Sequence, residues 1–145
     1  MRKISYFCLL IVGLLVFTGC GNKKSLKCSR NNDYNDQLSM EQVLNIVFKS
    51  DKLSSLSMDM NVSLTDDYVD FKNSLIESAE SEFKDIDSKA IKYSTKETSN
   101  GFKFNVKINY NKLSDEEKDE LYIVDYEKDY DALKADLVEA GYNCK

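Results

Sequence analysis

The chain contains no histidine, no tryptophan and no proline, and has five glycines in 145 residues. Without an imidazole, Ser-His-Asp and Cys-His nucleophiles are excluded, as is every histidine-ligated metal. An excess of positive charge is missing too. Twenty Lys and Arg face 25 Asp and Glu, for a net charge of −5, which argues against nucleic acid as a partner, since such binders need a basic face. No CxxC pair occurs, so a thiol redox motif is absent. What is present is a globular mixture, 42% hydrophobic and 31% charged, of about one domain's length.

The N-terminus reads as an address. Arg2 and Lys3 precede an apolar run over residues 4–17, interrupted at Ser5 and Gly13. A positive start, a short apolar run and small residues at its end make a secretory signal peptide. Fourteen residues rise only ~21 Å, short of the ~30 Å hydrocarbon core, so a permanent span is the weaker reading. The run ends Val16-Phe17-Thr18-Gly19-Cys20. Small residues directly before a Cys resemble a bacterial lipobox, with Phe17 standing where Leu is usual. The resemblance implies cleavage before Cys20 and diacylglycerol on its sulfur. An ordinary signal peptide followed by a coincidental Cys is the alternative. The expected organisation is a signal over 1–19, a lipidated Cys20 with a polar tether over 20–25, and a domain over 26–145. Acyl chains contribute ~0.8 kcal/mol per buried CH₂, enough for stable anchoring when two or three are present. Lys23 and Lys24 then lie near anionic headgroups.

Loss of residues 1–19 leaves 18 basic and 25 acidic side chains, a charge of −7. Residues 111–145 carry −6 of this and residues 20–110 only −1.

Of four cysteines, Cys8 leaves with the signal and Cys20 takes the lipid. Cys28 and Cys144 remain, one near each end of the domain. Outside the cytoplasm, two leftover thiols are most simply a disulfide; free thiols are the alternative. Such a bridge closes a loop of roughly 117 residues, for which chain entropy gives about 4–5 kcal/mol.

Hydropathy alternates along much of the domain. Residues 26–30 form a short candidate strand, and Asn31-Asn32-Asp33-Tyr34-Asn35-Asp36 is turn-rich. Leu38, Met40, Leu44, Ile46 and Phe48 recur with period two, as do Leu56, Met58, Met60, Val62 and Leu64, predicting two strands joined at the polar Lys49-Ser50-Asp51-Lys52. Thr65 or Asp66 caps a helix whose stripe is Tyr68, Phe71, Leu75, Ala79, Phe83 and Ile86. This helix is expected to cover the apolar face of the sheet. Residues 90–98 and 101–110 form a hairpin with Asn100-Gly101 as the turn signal. Ser114-Asp115-Glu116-Glu117 is a capping box opening a short helix to about residue 122. A last helix starts near Asp129, with Tyr130, Leu133, Leu137 and Ala140 as its stripe and Gly141 as its stop. The fold class is α+β: one antiparallel sheet of about five strands, two to three helices on one face, in the order β-β-β-α-β-β-α-α.

Catalytic signals are weak. The acids in 114–120 and 125–131 lack the Gly of a Ca²⁺ loop and read as solvated helix starts. Adjacent acids at Asp66-Asp67 and Asp115-Glu116-Glu117 also sit at helix starts. No catalytic residue, metal ligand or cofactor is assigned. Tyr122, Tyr126, Tyr130 and Tyr142 form either a ligand platform or core-edge residues. The polar positions of the alternating strands, Ser57, Asp59, Asn61, Lys103, Asn105 and Lys107, form the expected contact surface on an open sheet face.

These features, taken together, resemble the small YehR-like bacterial lipoproteins. The likeness rests on Cys20, the early strand at Cys28, the two strands joined at Lys49–Lys52, the helix after Asp66-Asp67-Tyr68, and the Asn-Gly hairpin. It extends to Leu113-Ser114-Asp115-Glu116-Glu117 and to Ala140-Gly141-Tyr142-Asn143-Cys144-Lys145, some 115–120 residues in all. It implies an exported, anchored α+β domain with its sheet partly covered, and no reaction. The Cys28–Cys144 pairing is independent of it.

The resulting expectation is a lipid-anchored domain at the cell membrane, facing out of the cytoplasm and binding an envelope protein or a small ligand. The alternatives are a substrate-capturing accessory of a transporter and a small secreted enzyme. Cys20→Ala tests the address: the chain is expected to leave the membrane fraction or to remain unprocessed. Unchanged processing and retention would sink the lipobox reading.

Overall fold

The computed structural model describes residues 22–34, 36–84, 86, 89–121 and 123–145. The expected signal, Cys20 and Tyr122 lie outside the described residues. Six strands form one antiparallel sheet: β1 (Lys23–Tyr34), β2 (Leu38–Lys49), β3 (Lys52–Leu64), β4 (Ile91–Thr98), β5 (Gly101–Asn109) and β6 (Asn143–Cys144). Their spatial order is β4-β5-β3-β2-β1-β6. Three α-helices accompany them: α1 (Lys72–Lys84), α2 (Asp115–Glu120) and α3 (Tyr130–Glu139). The α+β class is as expected. The sheet has six strands instead of about five, and the chain order closes with a strand after the last helix.

Period two explains the core. Leu26 and Cys28 of β1, Leu44, Ile46 and Phe48 of β2, Leu56 and Val62 of β3, and Phe102, Phe104, Val106 and Ile108 of β5 are all buried. The register sets them side by side: Leu26 opposite Ile46, Ile46 opposite Leu56, Leu56 opposite Ile108. They form one continuous apolar face. The intervening residues point to the opposite face and are mostly polar, with Val43 and Val47 of β2 the exceptions.

Local propensity is overridden at two places. The Asn-rich segment expected as a turn continues β1, because residues 31–34 pair with 38–41 of β2. The reversal comes later, with Asp36 at φ 55 and the Gln37 N–H donating to the Tyr34 carbonyl. Lys23, Lys24 and Ser25, read as tether, also belong to β1, paired with Lys49, Phe48 and Val47. A row of backbone partners offered by a neighbouring strand outweighs weak side-chain preference.

The second hairpin corrects the account of Gly101. Thr98 pairs with Gly101, so Ser99 and Asn100 form the tip, and neither they nor Gly101 has positive φ. Gly101 is small for another reason: a Cβ there would lie 1.9 Å from the Val62 carbonyl oxygen of β3. It permits close backbone approach. The left-handed turn residues sit instead in the β2–β3 hairpin, Ser50 at φ 51 and Asp51 at φ 60, the twist a two-residue hairpin needs.

The helix starts follow their caps. Ser114 Oγ accepts from the Glu117 N–H at 3.2 Å and Glu117 Oε2 accepts from the Ser114 N–H at 2.7 Å. Asp129 accepts from the Ala132 N–H at 2.9 Å. Thr65 makes no side-chain cap, and the chain passes through a 3₁₀ segment, Asp66–Phe71, before α1 begins. Gly141, at φ 89, ends α3, with the Tyr142 N–H donating to the Leu137 carbonyl, a Schellman-type stop. That reversal turns the last residues onto β1. Lys145 and Lys27 exchange two backbone hydrogen bonds, and Cys28 lies opposite Cys144 with sulfurs 2.00 Å apart.

Two measurements test this frame. Gly101→Ala is expected to destabilise by about 1–3 kcal/mol or more through the forced clash, while Asn100→Ala at the exposed tip stays within about 0.5 kcal/mol; denaturant midpoints report both. Cys28→Ala and Cys144→Ala are each expected to lower stability by up to about 4–5 kcal/mol. The double variant should then lose no more than the larger single one, since both remove one bond. Additive losses, or two thiols titrating in the native protein, would reject the bridge.

Candidate functional site

The six residues expected as a contact surface do come together. Ser57 is opposite Lys107, Asp59 opposite Asn105, and Asn61 opposite Lys103 across the β3–β5 ladder. All six alternate with core residues and face away from it. Asn105 Nδ2 donates to Asp59 Oδ1 at 2.6 Å and lies 3.4 Å from the Met58 carbonyl. The patch is a flat, mixed-charge surface.

A deeper feature lies on the other face. Helix α1 is held over β4 and β5 at both ends. Near its start, Lys72 Nζ is 3.0 Å from a Glu97 carboxylate oxygen and 3.4 Å from the Thr98 carbonyl. Near its end, Phe83 packs on Phe104 and Tyr93, with ring centroids 5.8 and 5.9 Å apart. Thr95 donates to Glu80 between them. The helix therefore rides on the β4 side of the sheet and leaves the β2–β3 region partly open. Of the stripe expected to seal the sheet, only Phe83 is fully buried, and Phe71 remains 57% exposed.

The result is a groove of about 640 Å³. Its floor includes Met40, Met58, Met60, Leu44, Val62 and Phe102; Leu75, Ser78 and Ala79 of α1 form one wall, and Leu121, Ile123 and Tyr142 the other. Three unbranched methionines on adjacent strands give a floor that adjusts its shape at small cost. This size, with a mainly apolar lining, falls in the range of small-molecule sites.

One end carries converging polar groups. Gln42 Oε1 accepts from Arg30 Nη2 at 2.7 Å and from the Tyr142 hydroxyl at 3.0 Å. Arg30 also lies over the Tyr142 ring, 4.4 Å from its centroid, a cation–π contact. Burial raises the Tyr142 pKa above its ordinary value, against the opposing pull of Arg30. The phenol is therefore a hydrogen-bond donor at neutral pH. Glu82 and Glu120 stand at the rim, both exposed.

The C-terminal tyrosines have separate surroundings. Tyr130 meets Phe48 edge-on at 5.5 Å, and the Tyr126 hydroxyl donates to Asp119 at 3.0 Å. Among the described C-terminal tyrosines, only Tyr142 lines the groove. Among the described residues, no group of three or more Cys, Asp or Glu is placed to hold a metal ion, and no helix is long and apolar enough to cross a membrane.

Alternation marks Met40, Met58 and Met60 as core, but nothing in it distinguishes a floor left open from one covered. The groove was not legible for that reason.

No family model and no curated protein matches the chain. The fold is shared with a solved structure titled "NMR structure of the protein from Streptococcus pneumoniae TIGR4", at a TM-score of 0.57 and 15% identity, covering 86% of each chain. At that identity the likeness concerns fold alone.

Proposed function

We propose that the chain is a lipid-anchored, extracytoplasmic binding domain that takes a small, mostly apolar ligand in the groove between α1 and the sheet. The groove carries this reading: an apolar floor, adaptable methionines, and Gln42 and Tyr142 at one end, held by Arg30 behind them, to orient a ligand's head. The anchoring rests on the apolar run and on Cys20. The resemblance to YehR-like lipoproteins supports the same address. A transporter accessory would use the same groove and differ only in handing its ligand on. A hydrolytic role for Glu82 and Glu120 has less support, since both are exposed and a general acid is made by burying a carboxyl.

Because the chain lacks tryptophan, a neutral naphthylamine probe reports on the groove without intrinsic background. The full chain is expected to enhance its fluorescence saturably. Met60→Glu, which places a charge on the half-buried floor, is expected to weaken binding at least about tenfold, equivalent to ~1.4 kcal/mol. Gln37→Glu, an exposed change outside the groove, should leave it unaltered. Absence of saturable binding in the parent chain, or unaltered binding by a folded Met60→Glu variant, rejects the groove as the site.

A further inference from the structure

The open sheet face is not uniform. Toward the β4–β5 turn, a shallow depression is lined by both charges: Glu41 and Asp59 with Lys96 and Lys103. Toward the other end, a second depression of about 380 Å³ is lined by Lys89, Lys92, Lys107 and Lys112, with Asn45 and Ser57 between them. No described carboxylate lines it. Lys92 and Lys107 stand directly opposite one another across the β4–β5 ladder. Like charges at such a position repel, and none of the four lysines has an ion-pair partner among the described residues. A chain with excess negative charge thus gathers four lysines around one depression, with no described carboxylate lining it.

Their position in the fold supplies the second observation. β5 runs toward this end, and Asn109 pairs with Ser55, a short way from the β2–β3 turn. The same turn adjoins the start of the described chain, where the Ser50 N–H donates to the Asn22 carbonyl and Lys23 pairs with Lys49. Cys20 is two residues before Asn22. The lysine depression and the start of the described chain therefore share one end of the sheet. Asp33, Asp36, Asp66 and Asp67 lie at or beside the opposite end, where Tyr34, Leu38 and Leu64 meet. Among the described carboxylates nearer the lysine end, Asp51 pairs with Lys24 at 2.9 Å, and Asp129 and Asp131 also act on Lys24.

We propose that the depression lined by Lys89, Lys92, Lys107 and Lys112 binds the phosphates of anionic lipid headgroups in the membrane that anchors the chain. The inference rests on the anchoring proposed above. Lysines within a Debye length of an anionic surface are attracted to it, and the aspartate end is repelled. The domain then stands with its lysine end down. Lysine supplies point charges and three donors to a phosphate, and the neighbouring Asn and Ser side chains add neutral partners.

The test reconstitutes the full chain, extracted in mild detergent from its producing cells, into phosphatidylcholine vesicles with or without about one-third phosphatidylglycerol. A membrane-impermeant amine reagent then labels exposed lysines, and peptide mass spectrometry reads each site. Labelling of Lys89, Lys92, Lys107 and Lys112 is expected to fall at least about threefold in the anionic vesicles while Lys96 and Lys103 change little. About 1 M salt, with a Debye length of ~3 Å, should abolish the difference. Lys92→Gln with Lys107→Gln removes a repelling exposed pair, so the variant is expected to fold and to lose the protection of Lys89 and Lys112. Identical labelling in both vesicles, equal protection of every lysine, or protection surviving in the double variant overturns the lysine assignment alone. The same protection from soluble glycerol phosphate beside phosphatidylcholine vesicles overturns the lipid as the source. A chain recovered outside both kinds of vesicle overturns the anchoring and this proposal with it.

Discussion

Everything in this domain depends on the two-residue alternation of β2, β3 and β5, interrupted where the β2–β3 register shifts between Val47 and Phe48. A slip of one residue in any ladder would turn that strand's apolar side chains to water and its Lys, Asn and Ser into the core. The cost of such a slip holds Leu26, Ile46, Leu56 and Ile108 in one row across four strands. It also separates two surfaces of opposite character. One face holds the apolar groove beneath α1, and the other the lysine-bearing strands. Gly101 is the local condition for this arrangement, since only a residue without Cβ lets β5 lie so close to Val62.

The helices complete the domain unevenly. α1 is fastened to the β4 side by Lys72, Glu80 and Phe83 and does not reach across β2. α3 covers the other side, where Tyr130 packs on Phe48. The gap between these two coverings is the groove. Its polar end is made by the chain's last residues: Tyr142 reaches Gln42 only because Gly141 reverses the backbone and β6 docks on β1 beside Cys28. The Cys28–Cys144 pair therefore bears on the site as well as on stability. It fastens the segment that carries Tyr142.

Charge is organised by the fold in a way that its linear order conceals. Along the chain the acidity belongs to the C-terminal segment. In space, four lysines from β4, β5 and their flanking segments meet at the end of the open face where β1 also starts, with β3 and β2 between them. Net charge speaks against a polyanion-binding protein as a whole but leaves room for a local cationic surface. Under the anchoring proposed above, the lysine end would face an anionic membrane. That posture would hold the groove at a set height above the headgroups.

The sequence by itself determined the class of fold, the alternating strands, the capped helices at Ser114 and Asp129, the stop at Gly141 and the encounter of Cys28 with Cys144. Each of these is short-range chemistry carried by a few neighbouring residues, except the encounter of the two cysteines, which is the pairing of two leftover thiols 116 residues apart. The sequence also named Ser57, Asp59, Asn61, Lys103, Asn105 and Lys107, because period two puts each set on the polar face of its strand; the β3–β5 pairing then joins the two sets. Tertiary structure decided the rest. Backbone pairing drew residues 31–34 and 23–25 into β1 against their local preference, and edge pairing made a strand of residues 143–144. The groove and the lysine depression depend on where α1 comes to rest and on which strands become neighbours. Those are long-range matters, settled by packing between residues that no local pattern connects.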